Sequence, residues 1–213
     1  MQFPKKFLCY FFLVSILLIF LFPVYFIIST SFKEEGAVYS GPFNFGRLTL
    51  ENWRKIFVER GCASWLAHGF FISMSATALG LLLGLPTAYS LTKLNVPHAK
   101  DILFWIFSLR ILPPVVTALP LFIIFSQAKL IDTYHGMIMV HTMLTLPLTV
   151  WIIRGFLVEI PKEYEEAAMV DGCSRIKAFV KIALPLTSPA IATAFILGFI
   201  FSCLLYTSPS PRD

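Results

Sequence analysis

The chain has 213 residues, 57% of them hydrophobic and only 14% charged, with 22 Phe and a formal net charge of +5. Soluble domains carry about 25% charged residues, so the composition excludes an ordinary water-soluble globule and points to lipid. The positive balance does not make a nucleic-acid binder, because the cations lie in short polar stretches between apolar runs and form no compact basic face.

Five runs are apolar enough to cross a hydrocarbon core, which needs roughly 20 residues of helix. Being continuously apolar and not alternating, they predict helices and not a barrel. The first, residues 7–31, is uncharged and follows Lys5-Lys6. Its length and the lack of a small-residue cleavage site predict an uncleaved anchor. Residues 32–64 form an outside segment, where Thr49 can cap a short amphipathic helix through Leu50, Trp53, Ile56 and Phe57 that lies on the membrane surface.

The second run, 65–91, carries Gly80 and Gly84, spaced to admit a neighbouring helix at close range. The third, 102–125, holds Arg110 beside Leu112-Pro113-Pro114, so that a charge and a helix break coincide. An intramembrane charge marks a packing partner or a substrate pathway. A packing role is favoured for Arg110, with Arg110, Pro113 and Pro114 kept as pathway candidates. The fourth and fifth runs, 136–153 and 189–206, are uncharged.

Internal prolines at 23, 86, 120 and 147 would each cost about 3 kcal/mol in a soluble helix. Membrane neighbours re-satisfy the freed carbonyls, and Pro23 and Pro86 read as ordinary kinks. Tyr89, Trp105, Tyr134 and Trp151 near the run ends fit an interfacial aromatic belt. Cys9, Cys62, Cys173 and Cys203 have no metal-like spacing, and His135 and His141 miss the i, i+4 spacing of paired ligands.

With a cytoplasmic N-terminus, the inside segments hold Lys5, Lys6, Lys93, Lys100, Arg154, Lys162, Arg175, Lys177 and Lys181. The outside segments hold Lys33, Arg47, Arg54, Lys55, Arg60 and Lys129. The excess inside obeys the positive-inside rule.

The most specific motif lies in the polar stretch 155–185: Glu166-Ala167-Ala168, Gly172, Ile182 and Leu184-Pro185. At about 5–10% abundance per residue, a chance match is on the order of 10⁻⁸ per start position. The stretch predicts a helix-turn-helix. Pro161 suits a first turn, and Glu163, Glu165 and Glu166 face the positive end of the helix dipole. Gly172 turns the chain in a left-handed cap. Ser174 caps a second helix, 175–183, with Ile176, Phe179, Val180 and Ala183 on one face. Leu184-Pro185 stops it, and Ser188-Pro189 starts the last span. Amphipathicity alone also fits a hairpin lying on headgroups; the fixed spacing favours a docking element.

On these residues, on Leu130-Ile131-Asp132-Thr133-Tyr134 and on Leu48-Thr49-Leu50-Glu51-Asn52-Trp53, the chain resembles the inner-membrane permease subunits of bacterial ABC importers, most closely the carbohydrate-uptake group. The likeness runs from about residue 7 to Ser202. It implies an all-α, polytopic membrane helix bundle with five spans of a six-span permease core in residues 1–202. It further implies that the stretch 155–185 forms a cytoplasmic coupling helix-turn-helix in a groove of an ATP-binding cassette ATPase dimer. Glu166, Ala167, Ala168, Asp171, Gly172, Ile182, Leu184 and Pro185 carry over as coupling positions.

The implied partners are that ATPase dimer, a second homologous permease chain, a periplasmic or extracellular substrate-binding protein and membrane lipid. The chain itself needs no cofactor, and ATP-Mg is expected in the ATPase. The expected place is the bacterial inner membrane. Residues 203–213, with two Ser-Pro pairs, read as a non-native or truncated tail. No Gly-rich phosphate loop occurs, so the chain is not the ATPase. A membrane enzyme lacks titratable groups in the spans, and a purely structural protein leaves the motif unexplained. An importer of polyamine, phosphate or another small solute remains the alternative to sugar.

Overall fold

A computed structural model describes residues 3–207, apart from 42, 45 and 112. Leu112 and the 208–213 part of the tail therefore lie outside the described residues, as does the side chain of Pro114. Every regular element among the described residues is helical; strand-like pairing is limited to a single bridge between Lys33 and Leu48. The chain forms two compact units, residues 1–65 and 66–213.

In the first unit, α1 (Phe3–Ser31) is apolar all round, with nearly every described side chain exposed, as lipid contact demands. A polar knot follows it. Lys33 is fully buried and its Nζ donates to the Gly41 carbonyl at 2.6 Å. Asn52 Nδ2 donates to the carbonyls of Ser31 (3.2 Å) and Lys33 (2.7 Å).

Thr49 Oγ1 accepts from the Glu51 N–H at 3.1 Å, at the start of α2 (Glu51–Arg54), which continues as a π-turn over Lys55–Glu59. Trp53 packs on Phe32 and stacks on Phe57 with centroids 6.0 and 5.9 Å away. Asn52→Ala leaves two carbonyls without their donor, which costs about 1–3 kcal/mol. Trypsin is expected to cut after Lys33 or Arg47 faster in that variant; an unchanged cutting rate would remove Asn52 as the knot's anchor.

The second unit is built from all but the first turn of α3 (Cys62–Lys93), with α4 (Ala99–Ile111), α5 (Pro114–Gln127), α6 (Tyr134–Glu159), a hairpin, and α10 (Ser188–Thr207). Both α4 and α10 pack on α6. Thr133 caps α6, its side chain accepting from the Gly136 N–H at 3.1 Å.

The meeting of α3 and α6 is unusually close. Thr145 and Thr149 on α6 bond their hydroxyls back to the carbonyls of His141 (3.0 Å) and Thr145 (3.2 Å). Their polar atoms are thereby satisfied within their own helix. Gly80 and Gly84 on α3 lie against them, and a Cβ on Gly84 would sit 2.8 Å from Thr149 Cγ2. Thr142 Oγ1 crosses to the Ala76 carbonyl at 3.3 Å, and His141 Nδ1 lies 2.6 Å from Ser202 Oγ on α10. At the hairpin end, Ala88, Leu103, Val150, Ile153, Leu157 and Ala183 form an apolar core.

Among the described residues, four helices, α1, α3, α6 and α10, are individually long and apolar enough to cross a membrane. The α4–α5 pair passes only as one span, and its axes differ by 98°. The break falls between Ile111 and Pro114, where two successive prolines supply no N–H and disfavour helix in the residue ahead of them. Arg110, at the end of α4, places its guanidinium 5.1 Å from the Phe201 ring on α10. That is a cation–π contact between two helices.

Candidate functional site

The motif residues lie on the hairpin that joins α6 to α10. Its first arm, α7 (Glu163–Val170), begins two residues later than Pro161. Lys162 is the capping position, and its carbonyl takes the N–H groups of Glu165 and Glu166 at 3.0 Å. Pro161 therefore precedes the helix and does not occupy its first turn.

The corner is a Schellman motif. Gly172 has φ +86°, its N–H bonds to the Met169 carbonyl (3.1 Å), and the Cys173 N–H reaches the Ala168 carbonyl (3.0 Å). Ser174 then caps α8 (Arg175–Ala178), its side chain accepting from the Lys177 N–H at 3.4 Å.

Leu184-Pro185 does not stop this second arm, contrary to the sequence expectation. The backbone widens into a π-turn over Phe179–Ala183, with the Leu184 N–H on the Phe179 carbonyl, and runs through α9 (Leu184–Leu186) into α10. A wider turn ahead of a proline relieves the clash of its ring with the carbonyl four residues back, and the helix goes on. Thr187, fully buried, bonds its hydroxyl to the Ala183 carbonyl at 2.7 Å across the junction. Thr187 is a single turn residue (φ −89°, ψ 2°), and Ser188-Pro189 opens α10 directly after it, as the sequence predicts. The predicted apolar face also divides: Ala183 is buried and Phe179 half-buried, whereas Ile176 and Val180 are exposed.

A seat on the last turns of α3 holds the hairpin. Tyr89 donates its hydroxyl proton to Glu165 Oε2, and its ring lies 4.4 Å from that of Phe179 on the second arm. One turn further on, Lys93 Nζ donates to the Ile160 carbonyl at the end of α6. Beside these bonds is a polar cavity of about 130 Å³, lined among others by Asn95, Lys162, Glu166 and Arg175. Glu165 is only 7% exposed, and its second oxygen, Oε1, is buried without a hydrogen-bond partner among the described residues.

Much of the hairpin remains exposed: Tyr164, Ala167 and Val170, together with Glu166 at the rim of that cavity and Ile176 beside Tyr89 and Phe179. Ala168 is half-buried, and Asp171 and Gly172 are exposed at the corner. Ile182 and Leu184 are half-buried on the second arm, with Pro185 exposed. The hairpin thus gathers all eight coupling candidates. Arg110 and Pro113 lie apart from it, on α4 and at the start of α5.

Sequence reasoning missed the Tyr89–Glu165 tie and assigned Tyr89 to an aromatic belt. Tyr89 is buried, whereas Trp105, Tyr134 and Trp151 are exposed. The partners are 76 residues apart in the chain. The available signal was a tyrosine and a lysine one turn apart at the end of an apolar run.

A family model described as "Binding-protein-dependent transport system inner membrane component" matches residues 76–210, which include the α3–α6 contacts and the whole hairpin. The chain belongs to this family of transport-system inner-membrane components.

Named relatives of this family member include the sulfoquinovosyl glycerol transport system permease protein SmoH of Agrobacterium fabrum. It is 34% identical over 84% of the chain and 64% of the relative. The trehalose transport system permease protein SugB of Mycobacterium tuberculosis is 32% identical over 85% and 66%. The diacetylchitobiose uptake system permease protein DasC of Streptomyces coelicolor is 27% identical over 84% and 66%. The chain therefore spans just under two thirds of the length of these three relatives. A crystal structure of a bacterial ABC transporter involved in the import of the acidic polysaccharide alginate matches with a TM-score of 0.74. It is 20% identical, covering 94% of this chain and 71% of the other, and it shares the fold.

Proposed function

We propose that the chain serves as one permease subunit of an ATP-driven, binding-protein-dependent importer of sugars or oligosaccharides in the bacterial inner membrane. The observation that carries this is the hairpin: with a fixed corner at Gly172, it leaves Glu166 and Ala167 exposed while Glu165 and Phe179 are seated on α3. A second permease chain completes the pathway, and a soluble binding protein delivers substrate to the outer face. Two cytosolic ATPase subunits bind ATP-Mg and press on the hairpin of each permease. Glu166 offers a charge, Ala167 a close approach, and Tyr164, Val170 and Ile176 the apolar contact. The chain performs no chemistry of its own, and the energy arrives through the hairpin. Support for sugar comes from the three relatives, named for sulfoquinovosyl glycerol, trehalose and diacetylchitobiose.

The test is co-purification of the full chain with an ATPase and a second permease from the same cells, followed by uptake of a labelled oligosaccharide panel in proteoliposomes. ATP-dependent uptake of at least one sugar is expected. A thiol placed at Val170 should react only with reagent on the cytosolic side. Labelling from the outer face, or a chain that binds no ATPase, would end this reading.

A further inference from the structure

Tyr89 touches both arms of the hairpin at once. Its hydroxyl holds Glu165 on α7, and its ring holds Phe179 on the second arm. Lys93, four residues on and therefore on the same face of α3, clamps the Ile160 carbonyl, where the chain leaves α6 for the hairpin. These side-chain bonds join the first arm and its entry to α3, beside the apolar packing that Ala183 and Phe179 of the second arm make with the bundle core. The unpaired Glu165 Oε1 makes the bond all-or-none: the carboxylate is either seated on Tyr89 or must be rehydrated altogether.

We propose that the Tyr89–Glu165 pair is the joint that makes the hairpin and α3 move as one body when the ATPase pushes, with Tyr89 as a positioning residue. This rests on the coupling role given above. A hydrogen bond to a charged group shifts an equilibrium by about tenfold or more. Breaking it converts a rigid lever into a hinged one: the hairpin yields under load while α3 stays behind.

The chemistry separates the variants. Tyr89→Phe keeps the ring on Phe179 and loses only the donor. Glu165→Gln keeps a carbonyl acceptor for the phenol, and Glu165→Ala removes it.

The experiment uses the full importer complex with its ATPase, native cysteines replaced, and spin labels at Leu82→Cys and Lys177→Cys. Leu82 and Lys177 are both exposed and neither belongs to the surface assigned to the ATPase, so the labels disturb no contact the mechanism uses. The parent and Glu165→Gln complexes should each give a single inter-label distance, the same without nucleotide and with ATP-Mg. Tyr89→Phe and Glu165→Ala should develop a second distance in ATP-Mg only, with uptake per ATP hydrolysed reduced about tenfold. A tie that serves stability alone would loosen the nucleotide-free state as well.

A single parent-like distance for Tyr89→Phe and Glu165→Ala in ATP-Mg overturns the joint and leaves the coupling role intact. So does a second distance already present without nucleotide. Failure of the parent chain to bind any ATPase overturns the coupling role and the joint together.

Discussion

Gly172→Val is expected to give a chain that inserts and assembles with its ATPase, which continues to hydrolyse ATP while uptake collapses. The reason is local. Gly172 sits at φ +86°, and no atom lies within 4 Å of where a Cβ would be, so the damage comes from the backbone and not from a clash with neighbours. An L-residue in this left-handed region costs about 1–2 kcal/mol, and a β-branched one is worse placed still. The corner relaxes by giving up its two Schellman bonds, Gly172 N–H to Met169 and Cys173 N–H to Ala168.

The two arms then lose their fixed angle while the bundle core, centred on α6, is untouched. Gly172→Asn is the control, because asparagine tolerates this conformation; near-normal uptake is expected there. Proteoliposome uptake set against phosphate release measures the ratio. Equal coupling in the Val and wild-type proteins would remove the corner from the mechanism.

Gly84→Leu is expected to be the most damaging single change to the folded bundle. Its first side-chain carbon alone would stand 2.8 Å from Thr149 Cγ2 and 3.2 Å from Thr149 Cβ. Helix α6 must move away, which weakens Thr142–Ala76 and the packing of Val150. Overpacking costs typically about 1–3 kcal/mol and occasionally more.

Thermal unfolding in detergent should show a lowered midpoint. Gly84→Ala joined with Thr149→Ala should recover part of what Gly84→Ala alone loses, since the same two groups collide. Strictly additive single and double mutants would refute the close approach.

Much of this architecture was legible before any coordinates. Continuous apolar runs gave the helices, because a bilayer admits only helices or closed barrels and a barrel strand would alternate. Pro113-Pro114 marked the break between α4 and α5, and Gly172 marked the corner, because single residues dictate those geometries. What stayed hidden was long-range or cooperative. The Tyr89–Glu165 bond joins residues that no local pattern relates, and only burial tells Glu165 from its neighbours Glu163 and Glu166.

Pro185 misled for a physical reason. Proline's helix-breaking cost assumes ordinary i→i+4 pairing, and the π-turn at Phe179–Ala183 removes that premise. Tyr89 misled because tyrosine near a span end has two good uses, an interfacial ring or a buried donor, and composition cannot choose between them.

The helical path from Arg175 to Thr207, interrupted among these residues only at the turn residue Thr187, makes this stretch a keyed shaft. Each residue of a helix advances the azimuth by about 100° and the length by about 1.5 Å. Deleting one residue between Phe179 and Thr187 would therefore swing Ser202 away from His141 and turn the Phe201 ring out from under Arg110. Insertions and deletions in this lineage should accordingly be confined to the bends around Asn95 and Lys129, with the shaft constant in length.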